Sequence, residues 1–175
     1  MKKIIPAATA ATALLVGAVT TAAQTQGNFN GAFGEQATQI TKGDIARDAE
    51  ALFAKVDVDG SGDLDVDEFA SHTVILAELA RLNRAVTVEG HTDVQIELPD
   101  SVADRMSNTE RGSIDAVARR TFHDFSAGDV MTLEGFTNYR MSTMAKADTN
   151  RDGTLRNREL QYFASVVAKP VQPRG

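Results

Sequence analysis

Cysteine is absent from this sequence of 175 residues, and no arginine-rich run is present. Without cysteine the chain has no disulfide, no thiolate ligand for a metal and no cysteine for a lipid anchor. The formal net charge is −6 and no basic stripe is present, so nucleic acid is not an expected partner. The length suffices for one domain with a sizeable core, or for two small lobes.

Sequence signatures of common catalytic sites are missing as well. His72, His91 and His123 are scattered, without the HExxH type of spacing that brings two imidazoles to one metal. No GxSxG elbow surrounds a serine, so a hydrolase is unsupported. We therefore expect ordinary surface or core histidines, and we do not expect an enzyme.

Residues 1–23 have the layout of a secretory signal peptide. Lys2 and Lys3 precede an apolar run from Ile4 to Ala23, which ends in small residues before the polar Gln24. Cleavage after Ala23 would take the formal charge from −6 to −8 and release a periplasmic or secreted protein without a membrane attachment. The alternative is an uncleaved anchor, because a run of about 20 residues can span a bilayer. Four threonines, a proline and a glycine lower its apolarity and favour the signal peptide.

The composition then divides the rest of the chain. Residues 24–43 are rich in Gly, Gln, Asn and Thr, which predicts a flexible linker. Residues 44–169 are predicted to form the folded domain, and residues 170–175 a short tail.

Apolar residues at helical spacing predict a helix on each side of residues 57–68. The first runs from about Asp44 to Val56, with Thr41 and Asp44 as its start signal. Asp65, with Glu68 three places on, is predicted to cap the second. The predicted buried faces comprise Ile45, Ala49, Leu52, Phe53 and Val56 in the first helix and Phe69, Leu76, Leu79, Ala80 and Leu82 in the second.

Between these helices lies the stretch DVDGSGDLDVDE. Oxygen-bearing side chains occupy its first, third, fifth, ninth and twelfth places, held by Asp57, Asp59, Ser61, Asp65 and Glu68. Calcium takes about 6–8 oxygen ligands, which a chain supplies when alternate residues point inward and the backbone then turns sharply. Gly62 permits that turn because it has no Cβ. Asp63 would offer its carbonyl oxygen and Glu68 both carboxylate oxygens, so the stretch predicts a Ca²⁺ site.

A second stretch, DTNRDGTLRNRE, repeats this pattern at residues 148–159. Its ligand places are held by Asp148, Asn150, Asp152, Thr154 (through its carbonyl) and Glu159. Gly153 takes the turn, but Arg156 stands at the ninth place, where contact is often through water. Arg151 and Arg158 add positive charge. Because affinity follows ligand charge, residues 57–68 (the first loop) are predicted to bind more tightly than residues 148–159 (the second loop).

Residues 124–135 take the same register but have lost most ligands. The first, third and apolar eighth places are kept by Asp124, Ser126 and Met131. The fifth, sixth and twelfth places have changed to Gly128, Asp129 and Gly135. Without the closing glutamate we interpret this segment as a decayed loop kept as a scaffold. A slipped register that uses Glu134 is the alternative.

The hydrophobic period changes to two at residues 85–98. Apolar residues alternate with polar ones around a turn at residues 90–93, at Val86, Val88, Val94, Ile96 and Leu98. This predicts a β-hairpin, either a strand edge for a partner or, as we favour, a flap over the core. Beyond it, Ser113 is the predicted cap of an amphipathic helix, and one helix over about residues 133–147 is expected to join the decayed loop to the second loop.

The loops and their flanking helices resemble the EF-hand family of calcium-binding proteins, and their tandem spacing is similar to that of bacterial secreted EF-hand proteins. The resemblance implies a mainly α fold of helix–loop–helix units with a short β-hairpin insertion. The expected units are a hand at 44–83, the hairpin at 85–98, a degenerate hand at 113–147 and a second hand at 133–167. Three hands leave one loop without an obvious mate, unless two chains pair or the hairpin substitutes.

The resemblance implies Ca²⁺ as the bound ion and a calcium buffer or sensor as the role. The alternative is a calcium-stabilised module that binds an unidentified protein of the cell envelope. The methionines at 131, 141 and 144 are expected to fill the core rather than to line a binding groove.

Overall fold

The computed structural model describes residues 34–90 and 93–170, and this part of the chain is mainly helical, as the sequence predicts. The proposed signal peptide, residues 24–33 of the predicted linker, His91 and residues 171–175 of the tail lie outside the described residues. The helices are α1 (Lys42–Val56), α2 (Val66–Asn83), α3 (Asn108–Phe125), α4 (Leu133–Ala147) and α5 (Arg158–Ala168). The strands are β1 (Glu35–Gln36), β2 (Gln39–Thr41), β3 (Ala85–Val88), β4 (Val94–Glu97) and β5 (Thr154–Arg156).

Capping boxes fix the starts of the first three helices. In α1 the Asp44 backbone N–H donates to the Thr41 hydroxyl, and the Asp44 carboxylate accepts from the Thr41 backbone N–H. Asp65 and Glu68 form the same reciprocal pair at the start of α2. Both predicted starts are therefore confirmed, because capping depends on residues only three places apart.

The predicted cap at Ser113 is wrong, and with it the predicted start of the degenerate hand at residue 113. Helix α3 begins five residues earlier, at Asn108, where Ser107 and Glu110 form the capping box. Ser113 lies inside the helix and its hydroxyl donates to the Thr109 carbonyl at 3.0 Å. Ser107 with Glu110 satisfies the capping-box spacing, whereas no acid lies three residues after Ser113.

Each loop has a mate. Leu64 of the first loop and Met131 of the decayed loop exchange two backbone hydrogen bonds, at 2.9 and 2.8 Å. The second loop is paired by β5 with β2, antiparallel, with Leu155 opposite Ile40. Neither a second chain nor the hairpin substitutes for the missing partner; the segment just before α1 does.

The linker prediction is therefore wrong for residues 35–41, and Lys42 and Gly43 belong to α1. Ile40 is almost fully buried and belongs to the same core cluster as Leu155 and Ile45. The polar composition of residues 24–43 predicts a linker, because composition alone does not show that Ile40 is buried. Its burial anchors β2 against the second loop and sets the position at which α1 begins.

The predicted hairpin is present as β3 and β4, which pair antiparallel from Ala85↔Glu97 to Val88↔Val94. Val86, Val88, Ile96 and Leu98 are buried and pack in the core cluster that contains α5 residues Leu160 and Phe163. On its other side β4 pairs with β1 in parallel. The hairpin thus covers the core, and one of its edges is already taken.

The buried faces of the helices agree with the sequence except in α2. All five predicted core residues of α1 are buried, but Leu79 and Leu82 of α2 are 47% and 65% exposed. The face of α2 that packs contains four small residues alongside three larger ones: Ala70, Thr73, Ala77 and Ala80 with Phe69, Val74 and Arg81. Small side chains let α3 and α5 approach closely, so the larger leucines lie on the outside. Within the described residues no helix is long and apolar enough to cross a membrane.

A buried ion pair joins α1 to α4. The Asp48 carboxylate accepts from the Arg140 guanidinium and, at 2.9 Å, from the Glu89 backbone N–H of the hairpin. Asp48 and Arg140 are 0% and 2% exposed. The Arg140 guanidinium also lies 5.9 Å from the centre of the Phe163 ring in α5. Together these contacts connect α1, α4, α5 and the hairpin.

His72 is expected to make stability fall in mild acid. Burial, together with the charge of Arg140, lowers the pKa of His72 to about 4, whereas an unfolded histidine titrates near 6.5. Between these values the unfolded chain binds more protons, so the free energy of unfolding falls as the pH drops from 6.5 toward 4. The loss reaches about 2–3 kcal/mol.

Urea unfolding at several pH values, without calcium, measures this effect. His72→Gln should flatten the dependence of the unfolding free energy on pH between 6.5 and 4. Equal slopes in the wild type and His72→Gln would contradict this interpretation.

Candidate metal centre

The first loop begins where α1 ends and closes where α2 begins. Asp57 is the C-terminal cap of α1 and Asp65 is the N-terminal cap of α2, so two helices hold the ends of the loop. Gly60 and Gly62 have φ values of +71° and +89°, which a side chain would disfavour. These glycines let the backbone turn inward within the twelve residues.

Backbone N–H groups hold the carboxylates in place. Asp57 accepts from the N–H groups of Ser61 and Gly62, both at 2.9 Å. Glu68 accepts from the N–H of Val58 at 2.8 Å through one oxygen and from the N–H of Asp65 at 3.0 Å through the other. Glu68 therefore joins the last place of the loop to the second and ninth places, and Asp57 joins the first place to the fifth and sixth.

Three carboxylates of this loop converge. One oxygen from each of Asp57, Asp59 and Glu68 lies within 4.8 Å of the others, and these residues form the metal-compatible acidic group found in the described part of the chain. Hydrogen bonds from the Ser61 hydroxyl and N–H lower the pKa of Asp59, so it is ionised at neutral pH. Three negative oxygens this close repel one another unless a cation lies among them. The donor set, hard oxygens on a turn, fits Ca²⁺.

The other predicted ligands of the first loop lie around this group. The Ser61 hydroxyl donates to the Asp63 carbonyl at 2.7 Å, which places the fifth and seventh positions side by side. Asp65 accepts through one oxygen from the N–H groups of Asp67 and Glu68, both at 2.8 Å. Its first task is thus to cap α2, while its second carboxylate oxygen has no hydrogen bond to that helix end.

The second loop repeats the same pattern place by place. Asp148 accepts from the N–H groups of Asp152 and Gly153 at 3.2 and 2.9 Å. Glu159 accepts from the N–H of Thr149 at 3.0 Å and from that of Arg156 at 3.3 Å. The Thr149 hydroxyl, at 2.8 Å, lowers the pKa of Glu159.

The second loop differs in its charge. Asn150 takes the third place, and its carbonyl oxygen accepts from the N–H of Asp152 at 2.8 Å. Thr154, at the seventh place, starts β5 and pairs with Thr41. The Arg156 guanidinium forms an ion pair with Asp152 at 2.9 Å. The second loop therefore presents fewer acids than the first, and one of those acids is paired with an arginine.

The decayed loop has lost both ends of its site. Helix α3 continues to Phe125, so Asp124 lies in its last turn rather than at the mouth of a loop. A Cβ at Gly135 would lie 2.5 Å from the Phe125 carbonyl oxygen, which leaves no room for the usual glutamate there. The Thr132 hydroxyl accepts from the Gly135 N–H and caps α4 instead. What remains is the Met131 pairing with Leu64, which supports the first loop.

The comparisons with known proteins agree with this geometry for the first loop. The family model described as EF hand matches residues 49–71, which cover the end of α1, the loop and the first turns of α2. A search of the curated proteins and a search of the solved structures each found no significant match. The matched segment and the acidic group within it support an EF-hand calcium-binding protein.

Proposed function

We propose that this protein binds calcium at two sites of unequal affinity, the first loop being the tighter, and serves as a calcium buffer or sensor. The observation that carries the proposal is the convergence of Asp57, Asp59 and Glu68 within 4.8 Å on a loop whose ends are helix caps. Ser61, Asp63 and Asp65 would complete the oxygen set. In the second loop Asp148, Asn150, Asp152, Thr154 and Glu159 would play the same parts.

Calcium would supply positive charge to an otherwise self-repelling group. Binding to the folded state alone stabilises a protein by an amount that depends on the ion concentration relative to the dissociation constant. Because Asp57 ends α1 and Glu68 lies in the first turn of α2, the bound ion would also hold these helices at a fixed angle. The isolated β-bridge between Leu64 and Met131 would transmit that constraint to α4.

Thermal melting with calcium and with chelator tests the proposal. At free calcium about 100 times the dissociation constant, the stabilisation is about 2.7 kcal/mol, which raises the melting temperature of a chain of this size by about 5–10 °C. Magnesium at the same concentration is the control and should give a smaller shift, because Mg²⁺ gives up its water reluctantly. Superimposable curves in calcium and chelator would refute calcium binding to the folded state.

We propose further that the protein acts outside the cytoplasm, after removal of residues 1–23. The support is the order of lysines, apolar run and small residues in the sequence. Mass spectrometry of the protein recovered from an expressing bacterium measures its amino terminus. A mature chain that starts at Gln24 supports the proposal, and an intact amino terminus in the membrane fraction overturns it.

A calcium-stabilised interaction module is the second candidate. It is favoured by the outer face of α2, where Ile75, Leu79 and Leu82 are all about half exposed or more. Because β1 already pairs with β4, this face is a better candidate contact than that edge of the hairpin. A pull-down repeated with calcium and with chelator separates the two functions, since a buffer retains no partner in either condition.

A further inference from the structure

Arg156 stands where the first loop has an acid. In the first loop the ninth place is Asp65, which caps the following helix. In the second loop the ninth place is Arg156, and the following helix, α5, has no side-chain cap, with Asn157 at φ +49° before it. The ninth place of the second loop therefore differs from that of the first in two ways: it offers no acidic ligand, and it does not cap the following helix.

The Arg156 side chain makes two specific contacts. One terminal nitrogen lies 2.9 Å from the Asp152 carboxylate, the fifth-place ligand of its own loop. Its Nε lies 3.3 Å from the amide oxygen of Gln39, which is opposite Arg156 in the β2–β5 pair. Arg158 is similarly exposed, but within the described residues no ion pair joins it to a loop carboxylate. Among the arginines of the second loop, Arg156 is thus the one directed at a ligand.

We propose that Arg156 is a built-in counter-cation of the second loop: it holds Asp152 in the absence of calcium and competes with calcium for that carboxylate. The inference rests on the proposed calcium function and goes beyond it, because it gives a single residue the control of the second site. Two consequences follow: the second loop keeps its shape without calcium, and the calcium affinity of the second loop is lowered.

The competition follows from the geometry. The Asp152 carboxylate is already paired with the Arg156 guanidinium at 2.9 Å, which neutralises its negative charge. An incoming ion must share or displace that guanidinium and also meets its charge at close range. A unit charge about 6 Å from a divalent ion in a water-like medium costs enough to lower the affinity by about tenfold.

The shape of the calcium-free loop follows from the second contact. Because Arg156 bridges Asp152 to Gln39, it joins the loop to the strand that leads into α1. The Lys42 N–H, at the start of α1 directly after that strand, also donates to the Gly153 carbonyl at 3.2 Å and supports the turn of the loop. The first loop has no cation of its own in an equivalent position, and calcium alone would relieve its charge repulsion.

Arg156→Gln tests the proposal, with Arg158→Gln as a matched control that removes the same charge from the same loop. Two-dimensional NMR during a calcium titration follows each site separately, through the amide signals of Gly62 and Gly153. Arg156→Gln is expected to raise the calcium affinity at Gly153 by about tenfold and to leave that at Gly62 unchanged. Arg158→Gln should change the affinity at Gly153 by less than about threefold, because Arg158 is exposed, is screened by solvent and, within the described residues, forms no ion pair with a loop carboxylate.

The second readout is stability without calcium. Loss of the ion pair in Arg156→Gln should lower the melting temperature by about 1–4 °C, with no loss in Arg158→Gln. If Gly62 responds to calcium but both variants shift the affinity at Gly153 equally, or neither does, the role of Arg156 is refuted while the proposed function stands. If neither glycine responds at any concentration, the proposed function itself fails.

Discussion

Glu68→Gln is expected to weaken calcium binding at the first loop by about 100-fold or more, a loss of at least about 2.7 kcal/mol. Glu68 would contribute both carboxylate oxygens to the ion, each is oriented by a backbone N–H, and Glu68 is one of the three converging acids. Glutamine keeps the size of the side chain but replaces one oxygen with an NH₂ group, which repels a cation. The bidentate contact and one negative charge are therefore lost together.

The matched control for this variant is Asp67→Asn. Asp67 is the neighbouring acid in the first turn of α2, and its carboxylate pairs with Arg119 at 2.8 Å rather than with the loop. The control removes the same charge one residue away, so it should change the affinity by less than about threefold. Isothermal titration calorimetry measures both variants. Equal losses in the two would mean that net acidity, and not the place of Glu68, governs binding.

Asp48→Asn is expected to destabilise the fold by about 3–5 kcal/mol, because it leaves the Arg140 guanidinium buried without a counter-charge. Asparagine keeps the oxygen that accepts from the Glu89 N–H, so the variant isolates the loss of charge. For a domain whose total stability is about 5–15 kcal/mol, this is a large fraction. Urea unfolding in saturating calcium measures the change.

Two comparisons make this experiment decisive. Lys55→Gln breaks an ion pair of the same helix with Glu89, but Lys55 is 61% exposed, so the cost should be at most about 1 kcal/mol. The double variant Asp48→Leu with Arg140→Met removes both charges and should recover most of the loss, since within the described residues the Arg140 Nε has no hydrogen-bond partner. A cost below about 1 kcal/mol for Asp48→Asn would contradict the role given to this pair.

The loops and the starts of α1 and α2 were predictable because their determinants are local. A twelve-residue loop and a capping box are each written in one short window, so Asp57 to Glu68 and Thr41 with Asp44 were assigned from spacing alone. Helix α4 was predicted at 133–147 and is found there. Its bounds follow from the loops that flank it on both sides.

The mate of the second loop was missed, although a signal for it exists. When Ile40 is given the eighth place of a loop, Thr41 takes the ninth and Asp44 the twelfth. Leu64, Asp65 and Glu68 hold those same places in the first loop. In both sets the eighth residue pairs with another loop, and the ninth and twelfth residues form the capping box of the next helix. Residues 40–44 thus act as the second half of a hand in which no metal-compatible acidic group is found among the described residues. A polar composition hid this pattern, and the pairing with Leu155 is too distant in sequence for a local rule.

The buried ion pair was also missed, for a different reason. Arg140 lies four residues after Phe136 and four before Met144, which places a charge on the apolar stripe of α4. When the sequence of α4 is considered alone, an arginine is expected to be exposed to solvent. Only the packing of α1 against α4 brings Asp48 to it. The same limit explains α2, where small residues at Thr73, Ala77 and Ala80 decide which face is buried.

The most direct measurement of the central claim is a calorimetric titration of the wild-type chain with calcium, combined with equilibrium dialysis to count bound ions. We predict two bound ions with unequal affinities, and loss of the tighter event in Glu68→Gln. Absence of uptake at concentrations up to about 1 mM, at the weak end for such loops, would contradict the account. So would uptake that Glu68→Gln leaves unchanged.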